Sequence, residues 1–188
     1  MSQAQQRLSD DHDAVSEVLE QLLTALDNRD IATSYSKLDL LWARLAVHIR
    51  AEHLHLFPAV VGRLTEAQTI VENLRTDHDF FMRELARAVG ILREVRNGDE
   101  AALSAAAATV REVENRLATH NEIEEDQIYA QASIILTEPE QLELVAQINA
   151  ELENRPPRFS EEAWVNCLRL APHTIADPPC LPSRRRSC

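Results

Sequence analysis

The sequence repeats one arrangement of histidines and carboxylates twice along its length. Each copy has a single histidine between two aspartates, "DHD", and then a histidine with a glutamate four residues later. Residues four apart share one face of an α-helix, so each His-x-x-x-Glu pair aims an imidazole and a carboxylate in the same direction. The pattern therefore favours four helices that face a common interior. The residues concerned are His12, His48, Glu52, His78, His120 and Glu124.

Apolar residues recur at helical spacing along four long segments, and the composition also favours helix. Only 3 of the 188 residues are glycine, and Ala, Leu, Glu and Arg are abundant. Pro58 is expected to kink the second helix or to end it nearby. We therefore expect an all-α protein, an up-down-up-down four-helix bundle. The predicted helices, the first capped by Ser9, span roughly residues 10–26, 33–61, 66–96 and 99–136.

The C-terminal part of the chain is expected to extend this bundle. Pro139 opens a shorter fifth helix over residues 140–153, which completes a domain of residues 1–153. Residues 154–188 are predicted to form an extension, with an extra amphipathic helix in "SEEAWVNCLRL" and a Pro-rich, irregular tail. All three cysteines lie in this extension and lack the spacing of a metal site.

The net charge of −12 argues against a nucleic-acid partner, because nucleic-acid-binding surfaces concentrate Lys and Arg. No apolar stretch is long enough to span a membrane, and the N-terminus lacks the apolar segment of a signal peptide. We therefore expect a cytoplasmic protein without membrane contact. Arg184–Arg186 form the only basic cluster and are typical of a solvated tail. If the protein is a sensor, the tail with Trp164 would be the element that meets a protein partner.

The donor types predict metal binding rather than packing alone. A lone histidine on an apolar face is usually a core residue, and a lone His-x-x-x-Glu is a common surface pair. Four helices that carry these residues in a repeated order give a far stronger signal. Mixed imidazole and carboxylate donors suit iron, with manganese or zinc as substitutes. One metal ion would take His12 and His48, the other His78 and His120, and Glu52 and Glu124 would bridge them.

The motifs that carry these donors resemble the hemerythrin-like (HHE cation-binding) family over residues 8–136. They are His12, "HIRAE" followed by "LFP", His78 and "HNEIE". The resemblance implies a four-helix bundle with a non-haem di-iron centre, two iron ions with a bridging oxide or hydroxide, that binds O2, peroxide or NO. By position, the implied ligands are His12, His48, Glu52, His78, His120 and Glu124.

The chain differs from oxygen-carrying hemerythrins at one ligand. Those proteins have a further histidine one turn from the third-helix ligand, where this chain has Leu74 and Met82. Each iron would then hold two imidazoles, two carboxylate oxygens and the bridging oxide or hydroxide. These are five ligands, so an octahedral iron keeps one position free. With both irons open, we expect redox turnover, such as catalase-like decomposition of hydrogen peroxide or reductive removal of NO, rather than simple O2 carriage.

Two further residues are weaker candidates for the metal site. His55 lies three residues after Glu52, on nearly the same helix face, and could be a ligand or a partner to that carboxylate, although a polar core or helix-end position is favoured. Glu125 lies five residues after the last histidine and could reach the bridge in place of Glu124, although the i+4 spacing of Glu124 is the cleaner geometry.

Three other residues near the motifs are expected to play no part in the chemistry. His53 points about 140° away from His48 on a helix and is expected at the surface. Phe57 and Tyr129 each lie nine residues after a histidine of the repeat. Their positions, about half a turn around the helix, favour a packing role.

Two other functions remain open from the sequence. The same di-iron core could serve as a carrier or sensor without turnover, with the C-terminal segment as its output, because fold and ligands do not fix function. Glu52 and His55 also form the Glu-x-x-His pattern of ferritin-like bundles, but the chain has no second copy on its fourth helix. Ferroxidase activity or iron storage is therefore the minor alternative.

Overall fold

The computed structural model describes residues 2–95 and 99–154, and over these ranges the chain is helical without any strand. This confirms the all-α prediction. The predicted amphipathic helix, tail and cysteines lie outside the described residues. The α-helices are α1 (Gln3–Asp27), α2 (Ile31–Ala51), α3 (Phe57–Val61), α4 (Gln68–Glu94), α5 (Glu100–Ile123), α6 (Ala130–Ile135) and α7 (Glu138–Glu153).

The four long helices pack around a shared interior. Helix α1 contacts α2 and α5, and α4 contacts the same two helices, so the four form a closed ring. Fully buried side chains such as Leu22, Leu41 and Phe81 fill the interior. Removing these apolar side chains from water is the main force that holds the helices together.

The first helix begins earlier than the sequence predicted. It starts at Gln3 rather than after Ser9, and Ser2 caps it by accepting a hydrogen bond from the backbone N–H of Gln5 at 3.2 Å. The extra turns are stabilised because Ala4 and Leu8 are buried in an apolar cluster with α6 and α7. Packing against α6 and α7 therefore extends the helix beyond Ser9, the cap that the sequence suggested.

Both helices that carry His-x-x-x-Glu widen into a π-helical turn at the glutamate. The turns are Glu52–Leu56, between α2 and α3, and Glu124–Tyr129, between α5 and α6. Such turns are rare and are frequent at functional sites. Pro58 lies in the first turn of α3, where its missing N–H is tolerated, and the helix ends nearby at Val61, as expected.

Helix α7 packs on the outside of α1 and α2. It begins at Glu138, two residues before the predicted start, behind a capping box formed by Thr137 and Glu140. Its apolar face buries Leu144, Ile148 and Leu152. Within the described ranges, no helix combines the length and apolarity that a membrane span requires.

Candidate metal centre

The four histidines of the repeat converge in pairs in the middle of the ring, and all four are buried. In the first pair, the Nε2 atoms of His12 and His48 are 3.1 Å apart. In the second pair, the Nε2 atoms of His78 and His120 are 2.9 Å apart. Each pair joins one histidine from a "DHD" helix to one from a His-x-x-x-Glu helix, as the repeat predicts.

Each glutamate of the repeat places one carboxylate oxygen at each histidine pair. Glu52 Oε1 lies 3.5 Å from His48 Nε2, and Oε2 lies 3.4 Å from His78 Nε2. Glu124 does the same, with Oε2 3.4 Å from the first pair and Oε1 3.1 Å from the second. We call these donor groups the first half-site (His12, His48, Glu52 Oε1, Glu124 Oε2) and the second half-site (His78, His120, Glu52 Oε2, Glu124 Oε1). In the first, donor atoms of all four residues lie within 4.8 Å of one another; in the second, this holds for His78, His120 and Glu124, and Glu52 Oε2 lies beside His78.

Two aspartates fix the histidines of α2 and α5. Asp11 Oδ2 lies 3.1 Å from His48 Nδ1, and Asp77 Oδ2 lies 3.2 Å from His120 Nδ1. A carboxylate can only accept, so in each pair Nδ1 carries the hydrogen and the inward-facing Nε2 presents a lone pair. The aspartate that precedes each "DHD" histidine therefore sets the tautomer on the neighbouring helix.

The other two histidines have different partners at Nδ1. His12 Nδ1 donates to Glu125 Oε1 at 2.9 Å, so this glutamate lies behind the histidine rather than on the bridge. His78 Nδ1 lies 2.9 Å from His53 Nε2. Burial and the neighbouring His78 lower the pKa of His53 to about 3, so its ring is neutral. When His78 presents its Nε2 lone pair to the cluster, its Nδ1–H donates to His53 Nε2. The expectation that His53 lies at the surface was wrong.

The cluster has unmet needs that a cation would satisfy. In the tautomers set by the carboxylates, the two Nε2 lone pairs of His12 and His48 face each other, which is repulsive without positive charge between them. In these same tautomers, Glu52 Oε2 and Glu124 Oε1 are fully buried and accept no hydrogen bond. Buried carboxylate oxygens without a partner are costly. The described donor set, imidazole nitrogen with carboxylate oxygen, suits a transition metal.

Electrostatics also draw positive charge to the cluster. Burial alone would lower the pKa of His48, but the carboxylates of Glu52 and Asp11 outweigh burial and raise the pKa to about 10. The same balance, with Glu124 as the main carboxylate, raises the pKa of His120. Protons therefore occupy these imidazoles when no metal does, and an incoming metal must displace them.

Tyr129 contributes a hydroxyl that the sequence analysis assigned to packing. Its oxygen donates to Glu52 Oε1 at 2.6 Å and lies 3.1 Å from His12 Nε2 and 3.3 Å from Glu124 Oε2. Phe57, at the same place in the other repeat, stacks on the ring of His78 with 6.0 Å between centroids and 9° between planes. The packing role therefore fits Phe57 but not Tyr129.

His55, a weaker candidate, is not brought to the cluster. Its Nε2 lies 3.7 Å from Glu151 Oε1 on α7, and Arg50 binds the other oxygen of that carboxylate. On a regular α-helix, His55 would lie close to the face of Glu52. The π-helical turn is wider, so three residues no longer return to that face.

A family model for the hemerythrin HHE cation binding domain matches residues 3–132. The chain belongs to the hemerythrin family. This confirms the family that the motifs predicted, and the match includes all four long helices and both π-helical turns. Searches of curated proteins and of solved structures gave no significant match. The hemerythrin domain thus holds a buried His/Glu cluster able to bind metal.

Two arginines of this hemerythrin domain were missed in the sequence. Arg44 donates to Asp11 at 2.8 Å, and Arg116 donates through Nε to Asp77 at 2.8 Å. Each arginine lies four residues before the histidine that its aspartate orients. The signal was present, because "RLAVHIRAE" and "RLATHNEIE" extend the repeat to Arg-x-x-x-His-x-x-x-Glu. The arginines compensate the charge of aspartates that are partly or fully buried.

Proposed function

We propose that the chain is a hemerythrin-like di-iron protein, with the four long helices arranged up-down-up-down around two iron ions. The observation that carries this proposal is that both glutamates place one oxygen at each histidine pair. Shared carboxylates are the ligands that hold two metal ions about 3.5–4 Å apart. The proposed ligands are His12, His48, Glu52, His78, His120 and Glu124.

The buried position of these donors supports a small ligand. None of the six residues is more than 6% exposed, which favours a ligand as small as a diatomic gas or a peroxide. The iron ions, with a bridging oxide or hydroxide, would supply one- and two-electron chemistry toward O2, hydrogen peroxide or NO. The chain's own residues orient the imidazoles through Asp11 and Asp77 and keep bulk water away from the carboxylates.

We favour redox turnover, by peroxide decomposition or NO removal, over storage of iron. The support comes from the ligand set. A ferritin-like centre would use the Glu-x-x-His pair of Glu52 and His55, but His55 faces Glu151 on α7 instead of the cluster. A carrier or sensor that binds the same ligands without turnover is the second candidate. In that case the extension from residue 154 onward would report occupancy to a protein partner.

The test of the metal centre is iron content in the full-length chain. We expect about two irons per chain and the near-ultraviolet absorption of an oxo-bridged ferric pair. The double variant Glu52→Gln/Glu124→Gln should lose most of this iron, since an amide oxygen bridges poorly. Glu122→Gln, at an exposed position on α5, is the matched control and should keep it. Trace iron in the unmodified chain, or full iron in the double variant, would contradict the proposal.

Turnover is tested on the iron-loaded chain. Hydrogen peroxide is added and evolved O2 is measured with an electrode, and NO consumption is followed in a separate assay under reducing conditions. Catalytic O2 release or NO loss beyond the iron concentration supports turnover. Stoichiometric ligand binding without either one favours the carrier or sensor instead.

A further inference from the structure

The two half-sites differ at two repeat-related positions. Five residues after the bridging glutamate, one repeat has Tyr129 and the other has Phe57. One residue after it, one repeat has Glu125 and the other has His53. Tyr129 and Glu125 both contact the first half-site, whereas Phe57 and His53 both contact the second. The additional oxygen atoms are therefore concentrated on one side.

The Tyr129 oxygen lies where a metal ligand would lie. Donor atoms about 2.1 Å from one metal ion, at adjacent octahedral positions, are about 3 Å from each other. In the first half-site, the histidine Nε2 atoms are 3.1 Å apart. The hydroxyl of Tyr129 lies 2.6 Å, 3.1 Å and 3.3 Å from Glu52 Oε1, His12 Nε2 and Glu124 Oε2, which matches that spacing for three donors.

Among the residues that the structure describes, no such oxygen lies at the second half-site. Phe57 presents a ring face to His78 and offers no donor atom. The two buried carboxylate oxygens without a hydrogen bond, Glu52 Oε2 and Glu124 Oε1, both belong to this half-site. Their partners in the first half-site, by contrast, both contact the Tyr129 hydroxyl. In the described residues, the first half-site therefore has one more oxygen donor than the second.

The charges behind the histidines differ in the same direction. In the first half-site, carboxylates lie behind both rings, Glu125 at His12 and Asp11 at His48. In the second, His78 has the imidazole of His53 behind it, which brings no negative charge. A carboxylate behind an imidazole makes it a stronger donor. The first half-site therefore suits a metal that stays fully coordinated.

We infer that the Tyr129 oxygen is a further ligand of the first half-site, and that an exogenous small anion or diatomic ligand binds only at the second. This inference rests on the proposed di-iron function and changes one part of it, because only one metal then stays open. Coordination replaces the O–H bond of the phenol by an O–metal bond, and the proton leaves to solvent. The step needs no oxidant or reductant.

The test uses the full-length ferric protein, with azide as the probe anion. The unmodified protein should show a phenolate-to-iron charge-transfer band in the visible and bind one azide per two irons. Tyr129→Phe should keep its iron, lose the band and bind two azides. Phe57→Tyr, the repeat-related control, should bind none, because a second phenol then closes the second half-site.

Each outcome of this test decides the inference. Two azides bound by the unmodified protein, or no phenolate band in it, would overturn it while the di-iron function stands. An unmodified chain without iron contradicts the function itself. If Tyr129→Phe does not fold, resonance Raman spectra of the unmodified ferric protein decide instead. Tyrosinate ring vibrations support coordination by Tyr129, and their absence contradicts it.

Discussion

Asp11 and Asp77 show how single residues outside the donor cluster control it. Each is the first aspartate of a "DHD" motif, and each orients a histidine on the neighbouring helix. The other aspartate of each motif, Asp13 or Asp79, is exposed. One motif thus contains a residue that acts on the metal site and a residue of the same type that does not.

We expect Asp77→Asn to weaken metal binding about 10- to 100-fold, the usual effect of losing a carboxylate behind a metal-bound histidine. An amide can donate to His120 Nδ1, which favours the tautomer with its hydrogen on Nε2. The measurement is a competition titration against a chelator. Asp79→Asn is the control and should leave the affinity unchanged. Equal affinities for the two variants would show that Asp77 does not orient the histidine.

The raised pKa of His48 predicts how the metal-free protein responds to pH. Its pKa rises from 6.5 to about 10 on folding, so the protonated ring stabilises the fold fully below pH 6.5 and this contribution is lost as pH rises through 10. We expect the free energy of unfolding of metal-free protein to fall by a few kcal/mol over that range, at about 1.4 kcal/mol per pKa unit.

Urea titrations at several pH values measure this slope, and the metal-loaded protein is its control. Bound metal replaces the proton on His48, so the loaded form should lack this part of the decline. Identical slopes for the two forms would mean that His48 is not protonated in the metal-free fold.

At the scale of helices, much of the architecture could be predicted and the π-helical turns could not. Apolar periodicity and the scarcity of glycine identified the long helices, because burial of one face is a property of the sequence pattern. The stretch "EHLHL" has the pattern of an ordinary α-helix. We attribute its wider turn to contacts with neighbouring helices, which the sequence pattern does not show. That one difference explains why His53 and His55 lie elsewhere than predicted.

The candidate site was predictable to a similar extent. The spacing of His12, His48 and their counterparts identified the residues that the structure brings together. The roles of Tyr129 and Glu125 were not predictable, because each acts across the ring on a histidine of α1. Sequence spacing describes one helix at a time and carries no information about which neighbour a side chain reaches.

Helix α7 provides a test of packing at the same scale. Ile148 is fully buried and Leu142 is 56% exposed on the same helix. We expect Ile148→Ala to lower the free energy of unfolding by about 2–5 kcal/mol, because it removes apolar contacts and leaves a cavity. Leu142→Ala should change it by less than about 0.5 kcal/mol. Urea unfolding measures both, and equal effects would show that α7 does not pack as described.

For the molecule as a whole, the metal centre links all four long helices. The donors come from α1, α2, α4 and α5 or the turns that follow them, so we expect metal to bind the folded state far more tightly than the unfolded chain. Metal at about 100 times its Kd should then stabilise the protein by about 2.7 kcal/mol. Thermal unfolding with and without chelator measures this gain.

Because both glutamates are shared, the two half-sites should lose metal together. We expect His120→Gln to reduce iron to well below one per chain, rather than to one, and to remove most of the thermal gain. Glu122→Gln is again the control. A variant that retains one tightly bound iron would show that the half-sites are independent.

The internal repeat has a consequence for how such a centre can change over time. One helical hairpin supplies half of the donors. Two copies of a half-length chain could therefore form the same donor cluster as a symmetric dimer. In such a dimer every mutation appears on both sides at once. Fusion into one polypeptide removes that restriction. Phe57 and Tyr129 stand at corresponding positions of the two halves, and only one of them carries a hydroxyl.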